Sequence, residues 1–187
     1  MRRQILPALL AFLCFTVLTG LVYPFVITGV SQVAFPNRSD GTLVKRGGKV
    51  VGSELIGQSF TEPRYFHPRP SAAGDGYDAM SSSASNLGPT NQTLISDVRK
   101  RVLAYDALNH RAGAVPGDAV TSSGSGLDPD ISPANARLQA PRIAQLRGLP
   151  LPVVLNLIDK YTNGPSLGFL GEPGVNVLEL NLALDRE

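Results

Sequence analysis

One stretch of this 187-residue chain, TSSGSGLDPD from Thr121 to Asp130, carries the residue types that suit anion binding. Small residues leave backbone amides accessible and hydroxyls add further donors, which makes Ser122, Ser123, Ser125 and Gly126 candidates for a phosphate or other anion. Asp128 and Asp130 oppose that reading by repulsion, and Asp-Pro turns ahead of a capped helix account for the same residues structurally. Arg69, in the string H-P-R-P-S, suits an anion clamp, an interface anchor or a solvated loop position. Tyr77 lies in the same tract between Asp75 and Asp78, and is a second interface candidate. Those two carboxylates make half a cation site at most, without the glycine and distal glutamate spacing of an EF-hand loop.

Other chemistry lacks its residues. His67 and His110 are far apart and have no H-E-x-x-H or C-x-x-C company, so no zinc centre is read, and no metal of any kind. The single cysteine, Cys14, falls in an apolar run, which leaves the rest of the chain without a thiol or a disulfide. No G-x-x-x-x-G-K-[ST] phosphate loop and no G-x-S-x-G elbow occurs. N-R-S at Asn37 and N-Q-T at Asn91 match the glycosylation pattern, which is short and unspecific. These residues nominate no catalytic group.

The elements that must position the candidates begin with a run free of charge between Arg3 and Arg38. About 20 apolar residues cross a hydrocarbon core of about 30 Å, and this run exceeds that length. It also exceeds a signal-peptide core and lacks an A-x-A-like cleavage site, so it reads as a retained anchor, a transmembrane helix over about residues 5–30. Pro7 is placed where a missing amide costs nothing, whereas Pro24 predicts a bend or the outer boundary of the helix. Thr16, Gly20 and Thr28 offer places for close approach by another helix. Arg2 and Arg3 abut the membrane directly, and a long following domain translocates largely regardless of its charge. The expected topology is therefore a cytoplasmic N-terminus and an extracytoplasmic head. We divide the chain into an anchor, residues 1–36, and one head domain, residues 37–187. All fifteen acids follow the anchor, and the head is close to neutral, which excludes the basic footprint of a nucleic-acid binder.

Within the head, Gly47-Gly48 predicts a β-hairpin turn between two short apolar segments. The Pro/Gly/Ser-rich tract from Phe60 to Asn91, interspersed with aromatics, reads as an irregular functional or partner-binding loop. Leu94, Ile95, Val98, Val102, Tyr105 and Leu108 predict an amphipathic helix from Thr93, with Gly113 as its stop. Val120 and Thr121 predict an extended segment. Ser132 is a good N-cap and Pro133 suits the first helical position, while Pro141 predicts a break into two short helices before Gly148. A helix from about Pro152 to Tyr161 follows. Finally Leu178, Leu180, Leu182 and Leu184 alternate with Glu179, Asn181 and Ala183, which predicts a half-buried terminal strand. Strands at both ends with helices between give an α+β head behind one N-terminal transmembrane helix.

The anchor followed by VVGSELIGQSFTEPRYFHPRPSA, SNLGPTN, AVTSSGSGLDPDISPANARLQAPRIAQLRG and VNVLELNLALD resembles the C subunit of the Kdp-type potassium-transporting ATPase over nearly the whole chain. The main departure is SSSASNLGPTN, where a glycine-richer lead is expected. The resemblance implies an inner-membrane potassium uptake complex with three partners: a channel-like subunit, a P-type ATPase subunit and a small single-helix subunit. This chain, non-catalytic by itself and in contact with membrane lipid, would stabilise the assembly. As a catalytic chaperone it would raise the ATP affinity of the ATPase subunit. The D-K-T-G motif phosphorylated in such ATPases is missing here. No tightly bound cofactor is implied, and ATP would act through the complex. Two other classes stay open: an anchored ligand-binding or capping module with no nucleotide role, and an enzyme, which His67 and His110 do not support.

Overall fold

A computed structural model of the protein describes residues 2–109 and 114–187, so that His110 and the Gly113 helix stop lie outside the described residues. Two compact units are present, one ending at Leu43 and the other spanning Val44–Glu187.

The first unit is dominated by one helix. It comprises α1 (Arg2–Val17), a π-helical turn (Leu18–Val22) and α2 (Tyr23–Ala34). Arg3–Ala34 is 32 residues long and none of it is buried, so at about 1.5 Å per residue it exceeds the roughly 30 Å of a hydrocarbon core. The boundary expected near Pro24 is not there, because the helix continues ten residues further to Ala34. The proline is accommodated by the π turn just before it, in which the Tyr23 amide donates to Leu18 O instead of the usual fourth-residue carbonyl. The helix stops instead at Phe35, the residue before Pro36, where a following proline disfavours helical backbone. A short turn, α3 (Pro36–Ser39), follows.

In the second unit the expected hairpin forms, β1 (Leu43–Arg46) with β2 (Lys49–Ser53), and both Gly47 and Gly48 have positive φ, as the tight turn requires. The irregular tract after it is interrupted by one 3-10 turn (Ala79–Ser81). It is nevertheless part of the core, since Phe66 and Ala73 are fully buried. Helix α4 (Gln92–Asn109) is preceded by Asn91, whose Oδ1 accepts the Thr93 amide at 2.8 Å, so the asparagine of N-Q-T caps a helix. Then come α5 (Gly117–Val120), β3 (Asp130–Ile131), α6 (Pro133–Arg147), α7 (Leu151–Lys160), β4 (Thr162–Asn163), β5 (Gly174–Asn176) and α8 (Val177–Leu184). The strands form a small antiparallel sheet in the order β3-β5-β4, with Ile131 and Thr162 both opposite Val175. The core lies where α6, α7 and α8 meet this sheet, around Ile131, Ile143, Ile158, Val175, Leu180 and Leu184.

Three local expectations are corrected. Of the extended pair expected at Val120 and Thr121, only Thr121 is extended; Val120 ends a single helical turn, α5, stabilised by Thr121 Oγ1 donating to Gly117 O. Pro141 does not divide α6, which runs unbroken from its Ser132 cap to Gly148 in the left-handed conformation. Pro141 and Arg137, four residues earlier and the owner of the carbonyl that the proline cannot serve, are both exposed, while burial on both sides of the proline holds the helix together. The terminal strand is confined to β5, and the leucine run after it is α8. Val177, Leu180, Asn181 and Leu184 lie at helical spacing and all are buried. Asn176 Oδ1 accepts the Glu179 amide at 3.1 Å, the start of a capping box that the alternating leucines obscured.

Candidate functional site

Arg64 ends a turn closed by the Tyr65 amide on Glu62 O, and Tyr65, Phe66 and His67 continue as irregular backbone that pairs with no strand among the described residues, yet each of the four carbonyls accepts a side-chain hydrogen bond. Arg147 Nε donates to Arg64 O (2.9 Å), Arg142 Nη2 to Tyr65 O (3.1 Å), Asn181 Nδ2 to Phe66 O (3.0 Å) and Gln139 Nε2 to His67 O (3.1 Å). The amides of Phe66 and His67 donate in turn to Asn181 Oδ1 and Gln139 Oε1, each at 2.8 Å. A carboxamide presents a donor and an acceptor side by side, as a peptide group does, so Asn181 of α8 and Gln139 of α6 replace the missing strand. The ring of Phe66, wholly buried, pins the segment into the core.

Polar bonding continues through α6. Gln139 also accepts from Arg142 (2.9 Å) and donates to Asn135 Oδ1 (3.0 Å), and Asn135 binds Tyr105 and Asp118. Arg142 is 5% exposed, and among the described residues no carboxylate pairs with it. Its charge is held by neutral acceptors, Asn109 Oδ1 (2.8 Å), Gln139 and Tyr65 O, and burial pulls its pKa down to about 10. Burial likewise lowers the pKa of His67. At one edge Asp185 receives Arg46 (2.8 Å), Arg147 (3.0 Å) and the Tyr65 hydroxyl (3.0 Å). The Arg147 guanidinium also stacks 4.7 Å from the Tyr65 ring centroid.

Two of the predicted site residues meet at the end of this segment. The Tyr77 hydroxyl donates to Arg69 O, and Arg69 Nη1 pairs with Asp128 at 2.7 Å. Burial pushes the Tyr77 phenol up to about 12. Arg69, Asp118, Asp128, Asp130 and Glu172 line an open recess of about 310 Å³. A smaller recess, about 190 Å³, lies among His67, Arg101, Tyr105 and Gln139.

The candidate anion segment is packed against its surroundings. Ser123 Oγ accepts the Gly126 amide and Ser125 Oγ the Leu127 amide, each at 3.0 Å, while Ser125 O accepts from Ser83 N and Ser82 Oγ. Gly126 has φ +70°, and a Cβ there would lie 2.5 Å from Ser83 O, so the chain passes too closely for any side chain. Ser122 Oγ is buried without a hydrogen-bond partner among the described residues. On the N-terminal helix, Thr16 Oγ1 donates to Phe12 O (2.8 Å), and Gly20 lies within the π turn with open space where a Cβ would stand.

Sequence reasoning did not single out Asn135, Gln139, Arg142, Asn181 or Asp185. The available signal was their spacing. Asn135, Gln139 and Arg142 recur at i, i+4 and i+7 on α6, a polar stripe with helical period, and Asn181 interrupts the apolar stripe of α8.

Fold and sequence thus define a class: one helix long and apolar enough to cross a membrane, followed by a single α+β domain organised around side-chain-clamped backbone. The chain belongs to the KdpC family, described as "K+-transporting ATPase, c chain", whose profile matches residues 5–186. It is 58% identical over 188 residues to the potassium-transporting ATPase KdpC subunit of Mycobacterium tuberculosis (strain ATCC 25618 / H37Rv), covering 100% of both chains. It is 58% identical to that of Caulobacter vibrioides (strain ATCC 19089 / CIP 103742 / CB 15), over 99% of this chain and 94% of that protein. The KdpC subunit of Rhodospirillum rubrum is 54% identical over 99% of this chain and 96% of that protein.

Proposed function

We propose that this chain is the accessory subunit of a high-affinity, ATP-driven potassium uptake complex, non-catalytic by itself, that stabilises the assembly and raises the ATP affinity of the ATPase subunit. The observation that carries this reading is the 58% identity to a KdpC subunit along the entire chain, anchor included. Its partners are the channel-like subunit, the P-type ATPase subunit and the small single-helix subunit, with the anchor in the bacterial inner membrane among lipid. Thr16 and Gly20 are the anchor positions for close helix approach, and Arg69 and Tyr77 the contact candidates on the head. The N-terminus lies in the cytoplasm and the head outside, so ATP is reached only through the complex and its effect is transmitted along the anchor.

A capping module with no nucleotide role is the second reading, favoured by the hydrogen bonds that occupy Ser123, Ser125, Gly126 and Leu127. Potassium-stimulated ATP hydrolysis by the complex, with and without this subunit, at limiting and saturating ATP, separates the two. A fall in apparent ATP affinity with the complex intact by size-exclusion chromatography supports the chaperone. Unchanged ATP affinity in the intact complex leaves the cap, and dissociation of the complex makes the subunit a structural clamp.

A further inference from the structure

Between β4 and β5 the chain leaves the sheet and returns, and the tip of this excursion is apolar and exposed. Leu167 is 83% and Phe169 75% exposed, with Leu170 beside them. A solvent-facing loop ordinarily carries polar residues, and clustered apolar side chains on a surface mark an interaction site. The tip is also built to hold its shape. Ser166 and Leu170 exchange two backbone hydrogen bonds, 2.8 and 2.9 Å, and the Gly168 amide donates to Pro165 O. Leu167 is held at φ +56°, a left-handed conformation that a branched side chain adopts only under constraint.

The charges around the tip select the kind of partner. From Tyr161 to Asp185 the chain has no Lys, Arg or His, and its charges are Glu172, Glu179 and Asp185. Glu172, two residues beyond Leu170, lines the acidic recess together with Asp118, Asp128 and Asp130. Arg69 occupies Asp128, Ser132 occupies Asp118 and Asp130 is half-buried with its Oδ1 enclosed, whereas Glu172 is exposed at the mouth of the recess. An anionic lipid surface would repel this neighbourhood, and a second copy meeting it face to face would oppose acid with acid.

We propose that the 166–170 tip is a docking knob for another protein subunit of the potassium-transporting ATPase, one that offers an apolar socket for Leu167 and Phe169 and a rim of Lys or Arg for Glu172. This inference rests on the reading of the chain as a subunit of that complex. Aromatic and leucine side chains seated in a socket, with charged groups at its rim, are the usual arrangement of an interface hot spot.

The test uses the full-length chain expressed with the other subunits and carrying a photo-crosslinking residue at position 169. The expected result is an adduct to another subunit of the complex, identified by mass spectrometry. An adduct to lipid, an adduct to a second copy, or no adduct overturns the proposal. In parallel, the double variant Leu167→Asp/Phe169→Asp should retain partner subunits roughly tenfold less well through purification, as removal of a hot spot does, with its melting temperature unchanged because both sites are exposed. Glu172→Lys should weaken retention and reduce its sensitivity to salt. Undiminished retention of the double variant overturns the knob while the subunit reading stands. A wild-type chain that does not co-purify with ATPase subunits overturns both.

Discussion

Replacing Asn181 by leucine tests whether a side-chain amide substitutes for a β-strand in this head. Asn181 is 1% exposed, and its two polar atoms bond Phe66 N and O at 2.8 and 3.0 Å. Leucine keeps the branched heavy-atom skeleton and removes both polar atoms, and its bulkier methyl groups add an overpacking cost to the polar loss. Two net hydrogen bonds contribute about 2 kcal/mol, and two buried backbone groups left unsatisfied cost up to about 6 kcal/mol, so we expect about 3 to 4 kcal/mol. That is a large share of the about 5 to 15 kcal/mol that holds a domain folded. For a domain of this size it lowers the melting temperature by roughly 10 °C. The assay is thermal unfolding of the full-length protein in detergent, paired with hydrogen exchange of the Phe66 and His67 amides. Early loss of protection at these two amides, ahead of the α7 amides, is the specific expectation. A shift below about 0.5 kcal/mol with Phe66 still protected would refute the strand-substitute reasoning, since surface changes alone produce that much.

Gly126→Ala should destabilise the head by at least about 2 kcal/mol, combining left-handed strain with the contact to Ser83 O, measured as a shift in denaturation midpoint. Burial raises the Asp185 pKa, but hydrogen bonds from Arg46, Arg147 and Tyr65 outweigh it and hold it below the usual carboxylate range. A depressed carboxylate stabilises above its unfolded pKa and loses that contribution as pH falls through the folded value. Asp185→Asn should therefore lower the melting temperature at pH 7 and flatten the acid limb of the stability profile below about pH 4. His67, lowered by burial, has the same sign for a different reason: the unfolded chain takes up the proton first, so stability declines as pH drops below about 6.5. His67→Gln should remove that part of the decline, read as the difference in melting temperature between pH 7.5 and pH 5.

The legible parts of the sequence are those whose cause is local. The span was visible because crossing a bilayer demands an uninterrupted apolar length, whereas its end falls at Phe35 before Pro36 and not near Pro24. The Gly47-Gly48 hairpin and the Ser132 and Gly148 caps likewise follow from backbone conformations that few residues satisfy. Where the reading departed from the structure, a distant contact overrode a local preference. Pro141 stays in a helix because residues on both sides of it are buried. The alternating leucines of α8 are buried nearly all round, so period two carried no information about which way they face.

The sequence by itself therefore determined the long apolar N-terminal helix, the α+β class and the family, all of which depend on length, composition and ordered motifs. Only the tertiary structure decided the site. Asn181 and Gln139 lie 115 and 72 residues from the backbone they clamp, and Arg69 lies 59 from the Asp128 that occupies it. A carboxamide in an apolar run reads as a defect until the unpaired peptide group it serves is placed beside it, and nothing short of the folded chain supplies that pairing.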